Sequence, residues 1–122
     1  MLVALYLFLF SSGNVMGLVL DVSDAVDQYV HDKHTANQII DINKEMLATE
    51  AAFGKEMTEA RDELARLNKN RIASKEAFER IFATVDEQRA KARETFLDSR
   101  FKMLGLMTAS EWNNVYSETG RD

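Results

Sequence analysis

The feature that most constrains this chain is a long stripe of apolar residues at helical spacing. From Val22 to Leu67 apolar side chains recur every three or four positions, or at sums of these steps, as on one face of an α-helix. The chain contains no proline, and residues 44–104 are dominated by the helix-favouring Ala, Glu, Lys, Leu and Arg. The pattern predicts an all-α protein whose first helix covers about residues 21–67.

A chain reversal is predicted where this stripe ends. Asn68 and Asn70 are turn-prone, and Ser74 is a good N-cap for a second helix with Glu76 in its first turn. A second apolar stripe then predicts a helix over about residues 75–104. The two helices should form a long antiparallel hairpin that places Phe96 near Met46 and Val85 near Met57.

A short third helix is predicted over about residues 109–117. Thr108 and Glu111 have the spacing of a capping box, and Met107 and Trp112 have that of a hydrophobic staple. Gly105 is expected to end the second helix in a left-handed conformation. Because the second helix is shorter than the first, this last element should cover residues 20–36, and the remaining apolar surface predicts a homodimer.

The N-terminus carries an uninterrupted apolar run over residues 2–10 and a second apolar patch over residues 15–20. The first run has the length of a signal-peptide core and is too short for a membrane span. We expect residues 1–17 to be a signal peptide or N-terminal apolar segment, cleaved after Gly13 or Gly17, and residues 18–122 to form one domain. An uncleaved anchor that associates with the membrane through residues 2–20, or a buried or oligomer-forming helix, are the alternatives.

Metal binding is considered because the two histidines lie close in sequence. On one continuous helix Asp27, His31 and His34 would share a face, and their side chains are ligands for Zn, Ni or Cu. In the hairpin register Met103 and Met107 approach residues 34–38, which offers sulfur ligands beside His34. The alternatives are a solvated surface cluster for the first three residues and core packing for the two methionines.

Several classes of function are disfavoured by the sequence. The net charge of −5 lacks the basic excess expected of a nucleic-acid binder. Charged segments such as residues 86–89 have the pattern of exposed helical ion pairs. No nucleophile has an accompanying base, and no Gly-rich phosphate loop is present, so we expect no enzyme activity and no cofactor other than a possible divalent transition metal.

The C-terminal third contains a basic helical run that leads directly into the capping box. The run from Arg89 to Trp112, with Met107-Thr108-x-x-Glu111 inside it, is similar to the LTxxQ-motif periplasmic proteins, which include the Spy and CpxP stress proteins and heavy-metal sensor and resistance proteins. The resemblance implies a periplasmic, cradle-like dimer of helical hairpins that holds unfolded clients or regulates an envelope sensor. In the metal-sensing branch, histidines of the first helix act with ligands that include Met near the end of a later helix, which would correspond here to His31, His34, Met103 and Met107.

The leading expectation is therefore a non-enzymatic, exported, periplasmic helical protein that binds protein partners, as a stress chaperone or a regulator of an envelope sensor. A periplasmic sensor or resistance protein for Ni, Cu or Zn is the second expectation. A membrane-tethered coiled-coil component of an assembly is the third.

Overall fold

Residues 19–119 are described by a computed structural model, which places four α-helices and no β-strand in this part of the chain. The helices are α1 (Ser23–Tyr29), α2 (Lys33–Lys69), α3 (Lys75–Leu106) and α4 (Ala109–Thr119). The all-α prediction is thus confirmed. The predicted signal peptide over residues 1–17 lies outside the described residues. No helix within residues 19–119 combines the length and apolarity that a bilayer crossing requires.

The predicted chain reversal is confirmed between α2 and α3. The backbone leaves the helical conformation at Asn70, and the Ser74 side chain caps α3 by accepting a hydrogen bond from the Ala77 N–H at 3.2 Å. The two long helices then pack against each other as an antiparallel hairpin. The predicted register also holds, since Phe96 packs with the cluster that contains Met46, and Val85 packs with Met57.

The prediction of one continuous helix over residues 21–67 is wrong at residues 30–32. Asp32 has an extended backbone, and its carboxylate accepts hydrogen bonds from the His34 N–H at 3.2 Å and from the Thr35 hydroxyl at 2.8 Å. This is an N-cap, so α2 begins at Lys33 and α1 is a separate short helix. The apolar spacing did not reveal the break because the same stripe serves both helices on either side of it.

The break lets the N-terminal part of the chain fold back along α2. Helix α1 packs against both α2 and α4, and their apolar faces meet in one core that also includes the end of α3. Val22, Val26, Ile39, Met103 and Val115 are fully buried in it. The expectation that the last helix covers the N-terminal segment is therefore confirmed, although the covered segment is a helix folded back on α2. We call this part of the molecule the four-helix end.

Beyond the four-helix end only α2 and α3 continue. A second, smaller core of Phe53, Met57 and Val85 lies between them, and Leu64 and Leu67 are buried nearer the turn. We call this part the two-helix stalk. Its core is narrow because two helices can bury only one face of each other.

The junction between α3 and α4 has the predicted capping box. The Glu111 carboxylate accepts a hydrogen bond from the Thr108 N–H at 2.8 Å, and the Thr108 hydroxyl accepts one from the Glu111 N–H at 3.1 Å. Met107 is buried in the main core and Trp112 packs against the same core, as a hydrophobic staple requires. The prediction for Gly105 is wrong, because α3 continues through it to Leu106 and no described residue has a positive φ.

Candidate functional site

A short segment ahead of α1, residues 19–22, is tied to α2 by a buried asparagine. The Asn43 side chain is 1% exposed, accepts a hydrogen bond from the Val22 N–H at 3.1 Å and donates one to the Leu20 carbonyl at 2.8 Å. Its amide therefore satisfies one buried and one partly buried backbone group, neither of which has a helical partner. We call residues 19–22 the strap.

The strap has a second attachment about two helical turns farther along α2. The Glu50 carboxylate accepts a hydrogen bond from the Val19 N–H at 3.0 Å. Partial burial raises the pKa of Glu50, and the hydrogen bond from Val19 lowers it by less. Because Val22 meets Asn43 and Val19 meets Glu50, the strap runs antiparallel to α2, and its first residue lies toward the two-helix stalk.

An apolar groove opens where the strap reaches the hairpin. It lies between α2 and α3, has a volume of about 200 Å³, and its floor is formed by Met46, Phe53 and Phe96. Glu50 lies on one side of it and Arg89 and Arg93 on the other, while Thr49 lines it from α2. An apolar floor with charged groups at its edge is typical of a site for an apolar side chain of a ligand or partner.

Aromatic residues of α4 border a second cavity beside the groove. The rings of Trp112 and Tyr116 have centroids 4.6 Å apart, and the Arg100 guanidinium lies 5.2 Å from the centroid of the Trp112 ring. Burial raises the pKa of Tyr116, and the Arg100 charge opposes this effect. The cavity, of about 300 Å³, shares Val19, Met46 and Phe96 with the groove, so the two form one depression around the strap.

The opposite face of α3 exposes a separate row of large apolar side chains. Leu97, Phe101 and Leu104 are 42%, 58% and 40% exposed, and their spacing of four and three residues places them on one helical face. The Arg100 guanidinium lies 5.0 Å from the centroid of the Phe101 ring. We call these three residues the α3 stripe.

The structure separates the predicted metal ligands. Asp27 is on α1, His31 is in the connection and His34 is in the first turn of α2, so the expected single helical face does not exist. Within residues 19–119 no group of three or more His, Cys, Asp or Glu side chains is arranged to hold a metal ion. Met103 and Met107 are buried in the main core, whereas both histidines are exposed. Metal binding by these residues stays a prediction.

Two polar residues of this region, Asn43 and Glu50, are not predicted by the apolar pattern of the sequence. Asn43 had a recognisable signal, because it interrupts the apolar stripe of α2 at the helical spacing set by Ala36, Ile39 and Met46. Glu50 had none, because its role depends on a strap whose path follows from the break at residues 30–32.

Comparison of the chain with protein-family models, characterised proteins and solved structures gives no match. The resemblance to LTxxQ-motif proteins therefore stays a prediction that depends on residues 89–112 and on the capping box.

Proposed function

We propose that this chain is a non-enzymatic protein that binds other proteins, and that it takes up an apolar segment of a non-native partner chain in the groove between α2 and α3. The observation that supports this most is the groove itself, whose floor is apolar and open to solvent beside the strap. Met46 and Phe53 are largely buried and Phe96 is half-buried, so the groove is an apolar cavity at the edge of the cores, a common kind of site for an apolar side chain of a ligand or partner.

The chemistry of the groove favours a peptide over a small polar ligand. Its floor offers Met and Phe side chains, of which the thioether of Met46 can adapt to ligands of different shape. Charges of both signs flank the floor, so the groove selects no particular net charge in a partner. Such a site suits transient binding of many unfolded sequences, which is the activity of a stress chaperone. The resemblance to envelope stress proteins supports the same activity and a periplasmic location.

Export forms part of this proposal and depends on the apolar run over residues 2–10. N-terminal sequencing of protein from the extracytoplasmic fraction tests it. We expect mature chains that begin at residue 14 or residue 18, and an intact N-terminus in the membrane fraction would favour the tethered alternative.

Blocking the groove tests the binding proposal without removing the core. In Thr49→Trp a large ring would occupy the groove from the α2 side, whereas Thr58→Trp places the same ring on the exposed face of the same helix as a matched control. We expect the native protein and Thr58→Trp to suppress aggregation of a chemically reduced, unfolding client measured by light scattering, and Thr49→Trp to lose most of this effect. Circular dichroism checks that both variants fold. Equal suppression by all three proteins, or none by the native protein, would contradict the proposal.

A further inference from the structure

The second cavity, which Trp112 and Tyr116 of α4 border, differs from the groove in its charge. Within residues 19–119, Arg100 is the only charged residue that lines this cavity. The groove, by contrast, has Glu50 on one side and two arginines on the other. A cleft whose charge has one sign attracts ligands of the opposite sign. The cavity, which we call the α4 cavity, therefore favours an anion, whereas the groove does not select a charge.

The Arg100 side chain has N–H groups available for such an anion. Its guanidinium lies above the Phe101 and Trp112 rings, with distances of 5.0 and 5.2 Å from its central carbon to the ring centroids. A ring face stabilises the charge without replacing a carboxylate as hydrogen-bond acceptor. No ion pair or hydrogen bond joins this guanidinium to another described residue. A half-buried guanidinium in this state can bind a carboxylate through two parallel hydrogen bonds.

The walls of the α4 cavity suit an aromatic ring. The Trp112 and Tyr116 rings have centroids 4.6 Å apart and are tilted by 35°, and Phe96 lines the cavity from α3. Another ring can pack against such a set through offset or edge contacts, and the Met46 thioether can adapt to its shape. The volume of about 300 Å³ is enough for one ring and a short acid chain, since about 150 Å³ holds a benzene molecule.

From these observations we infer that the α4 cavity binds a small aromatic carboxylate, with the carboxylate at Arg100 and the ring against Trp112 and Tyr116. The ligand is a free small molecule, in keeping with the volume of the cavity. The inference goes beyond the proposed function, because that function concerns a polypeptide. The three residues that carry the inference do not line the groove.

Fluorescence of the full chain measures this binding directly, because Trp112 is its only tryptophan and lines the cavity. The probe is hydrocinnamate, a phenyl ring joined to a carboxylate through a short methylene chain. We expect a saturable change in Trp112 emission, and calorimetry should give the same dissociation constant. The neutral amide of this acid keeps the shape without the charge, and acetate keeps the charge without the ring. Each should bind at least about tenfold more weakly than hydrocinnamate.

Two results with the native protein would overturn the inference. One is the lack of saturable hydrocinnamate binding at millimolar concentration. The other is equal binding of hydrocinnamate and its amide, which would mean that the Arg100 charge does not contribute.

Variants of Arg100 test which residue binds the carboxylate. Arg100→Gln should weaken hydrocinnamate binding at least about tenfold and leave amide binding unchanged, because it removes the cation. Arg100→Lys keeps the charge without the two-pronged geometry, so its loss should be smaller. Arg80→Gln, on the exposed surface of the same helix, is the matched control and should bind like the native protein. Circular dichroism checks that the variants fold.

Comparing the two ligands in each variant separates loss of the charge from loss of structure. A distorted cavity would weaken binding of the acid and the amide alike, whereas the inference requires a loss for the acid alone. Equal losses for both ligands in Arg100→Gln, or acid binding as strong as in Arg80→Gln, would contradict the role of Arg100.

The groove variant distinguishes this inference from the proposed function. Thr49 does not line the α4 cavity, so Thr49→Trp should still bind hydrocinnamate, as measured by calorimetry because the variant has a second tryptophan. Arg100→Gln should still suppress client aggregation. Native protein that binds hydrocinnamate without suppressing aggregation would contradict the proposed function alone. A folded Thr49→Trp protein that no longer binds hydrocinnamate would place the ligand in the groove and overturn the assignment to the α4 cavity.

Discussion

Asn43 shows how one side chain can determine the path of a whole segment. Its amide is buried in an otherwise apolar core and has both a donor and an acceptor role toward the strap. An aliphatic residue at this position would gain apolar contacts and would leave the Val22 N–H and the Leu20 carbonyl without partners. Specificity for one chain path is the best-supported role of such a buried amide in helical assemblies.

We predict that Asn43→Ala lowers the free energy of unfolding by about 2 kcal/mol, because the buried Val22 N–H and the partly buried Leu20 carbonyl lose their partners. Chemical denaturation measures this value. Asn37→Ala, on the exposed surface of the same helix, is the matched control and should change stability by less than about 0.5 kcal/mol. A loss for Asn43→Ala no larger than that of the control would mean that the strap does not depend on this amide.

Glu50 provides a prediction about pH. Because partial burial raises its pKa, the folded protein holds this proton more tightly than the unfolded chain does. The stabilisation from this difference is fully present below the pKa of Glu50 in the unfolded chain, and it is lost as the pH rises through the higher pKa of the folded state. A neutral amide at this position avoids that loss and can still accept the Val19 hydrogen bond.

Glu50→Gln should therefore be more stable than the native protein at neutral pH, by at most about 0.5 kcal/mol because solvent screens a partly exposed carboxylate. The advantage should disappear as the pH falls below the acidic range in which Glu50 titrates. Thermal melts at a series of pH values measure the difference. An advantage that grows toward low pH would contradict the assigned direction.

At the level of helices, side-chain capping signals in the sequence correctly predicted where α3 and α4 begin. Ser74 and the pair Thr108 and Glu111 cap α3 and α4 as predicted, because each signal needs only local hydrogen bonds. The Asp32 cap belongs to the same class of signal and was overlooked, since the apolar stripe on both sides favoured one helix. Helical periodicity indicates which residues face a core. It does not indicate whether the helix axis changes direction between those residues.

Gly105 provides a direct test of the end of α3. The residue is helical, and a Cβ built on it would have no atom within 4 Å. Gly105→Ala should therefore raise the free energy of unfolding by about 0.5–1 kcal/mol through the lower backbone entropy of alanine in the unfolded chain. Thermal or chemical denaturation checks this. Had Gly105 adopted the left-handed conformation expected from sequence, the same change would destabilise the protein, so the sign of the effect decides between the two conformations.

Over the whole molecule, the hairpin of α2 and α3 and its register could be predicted from the sequence. The folding back of α1 along α2 could not. Two stripes of unequal length, with a reversal between them, fix which parts of α2 and α3 can meet. The sequence also indicated that the last helix covers the N-terminal region. The candidate groove could not be predicted, because it forms where α2, α3 and the strap converge and no single segment carries its pattern.

The two cores predict unequal local stability. The main core joins four helices, whereas the smaller core of Phe53, Met57 and Val85 joins two. We expect backbone amides around Met103 and Ile39 to exchange with solvent at least about tenfold more slowly than those around Ile81 and Met57, because opening the stalk exposes less apolar surface. Hydrogen exchange followed by mass spectrometry measures this gradient. Uniform protection along α2 and α3 would show that the molecule opens as one cooperative unit.

The turn at residues 70–74 has a practical consequence. Helix α2 extends 23 residues from Met46 to Lys69, so the turn lies about 35 Å beyond the four-helix end. Ile72 is almost fully solvated there. A fluorophore or an inserted epitope at this turn would therefore contact neither the groove nor the α3 stripe. It could be used to detect partner binding without blocking either surface.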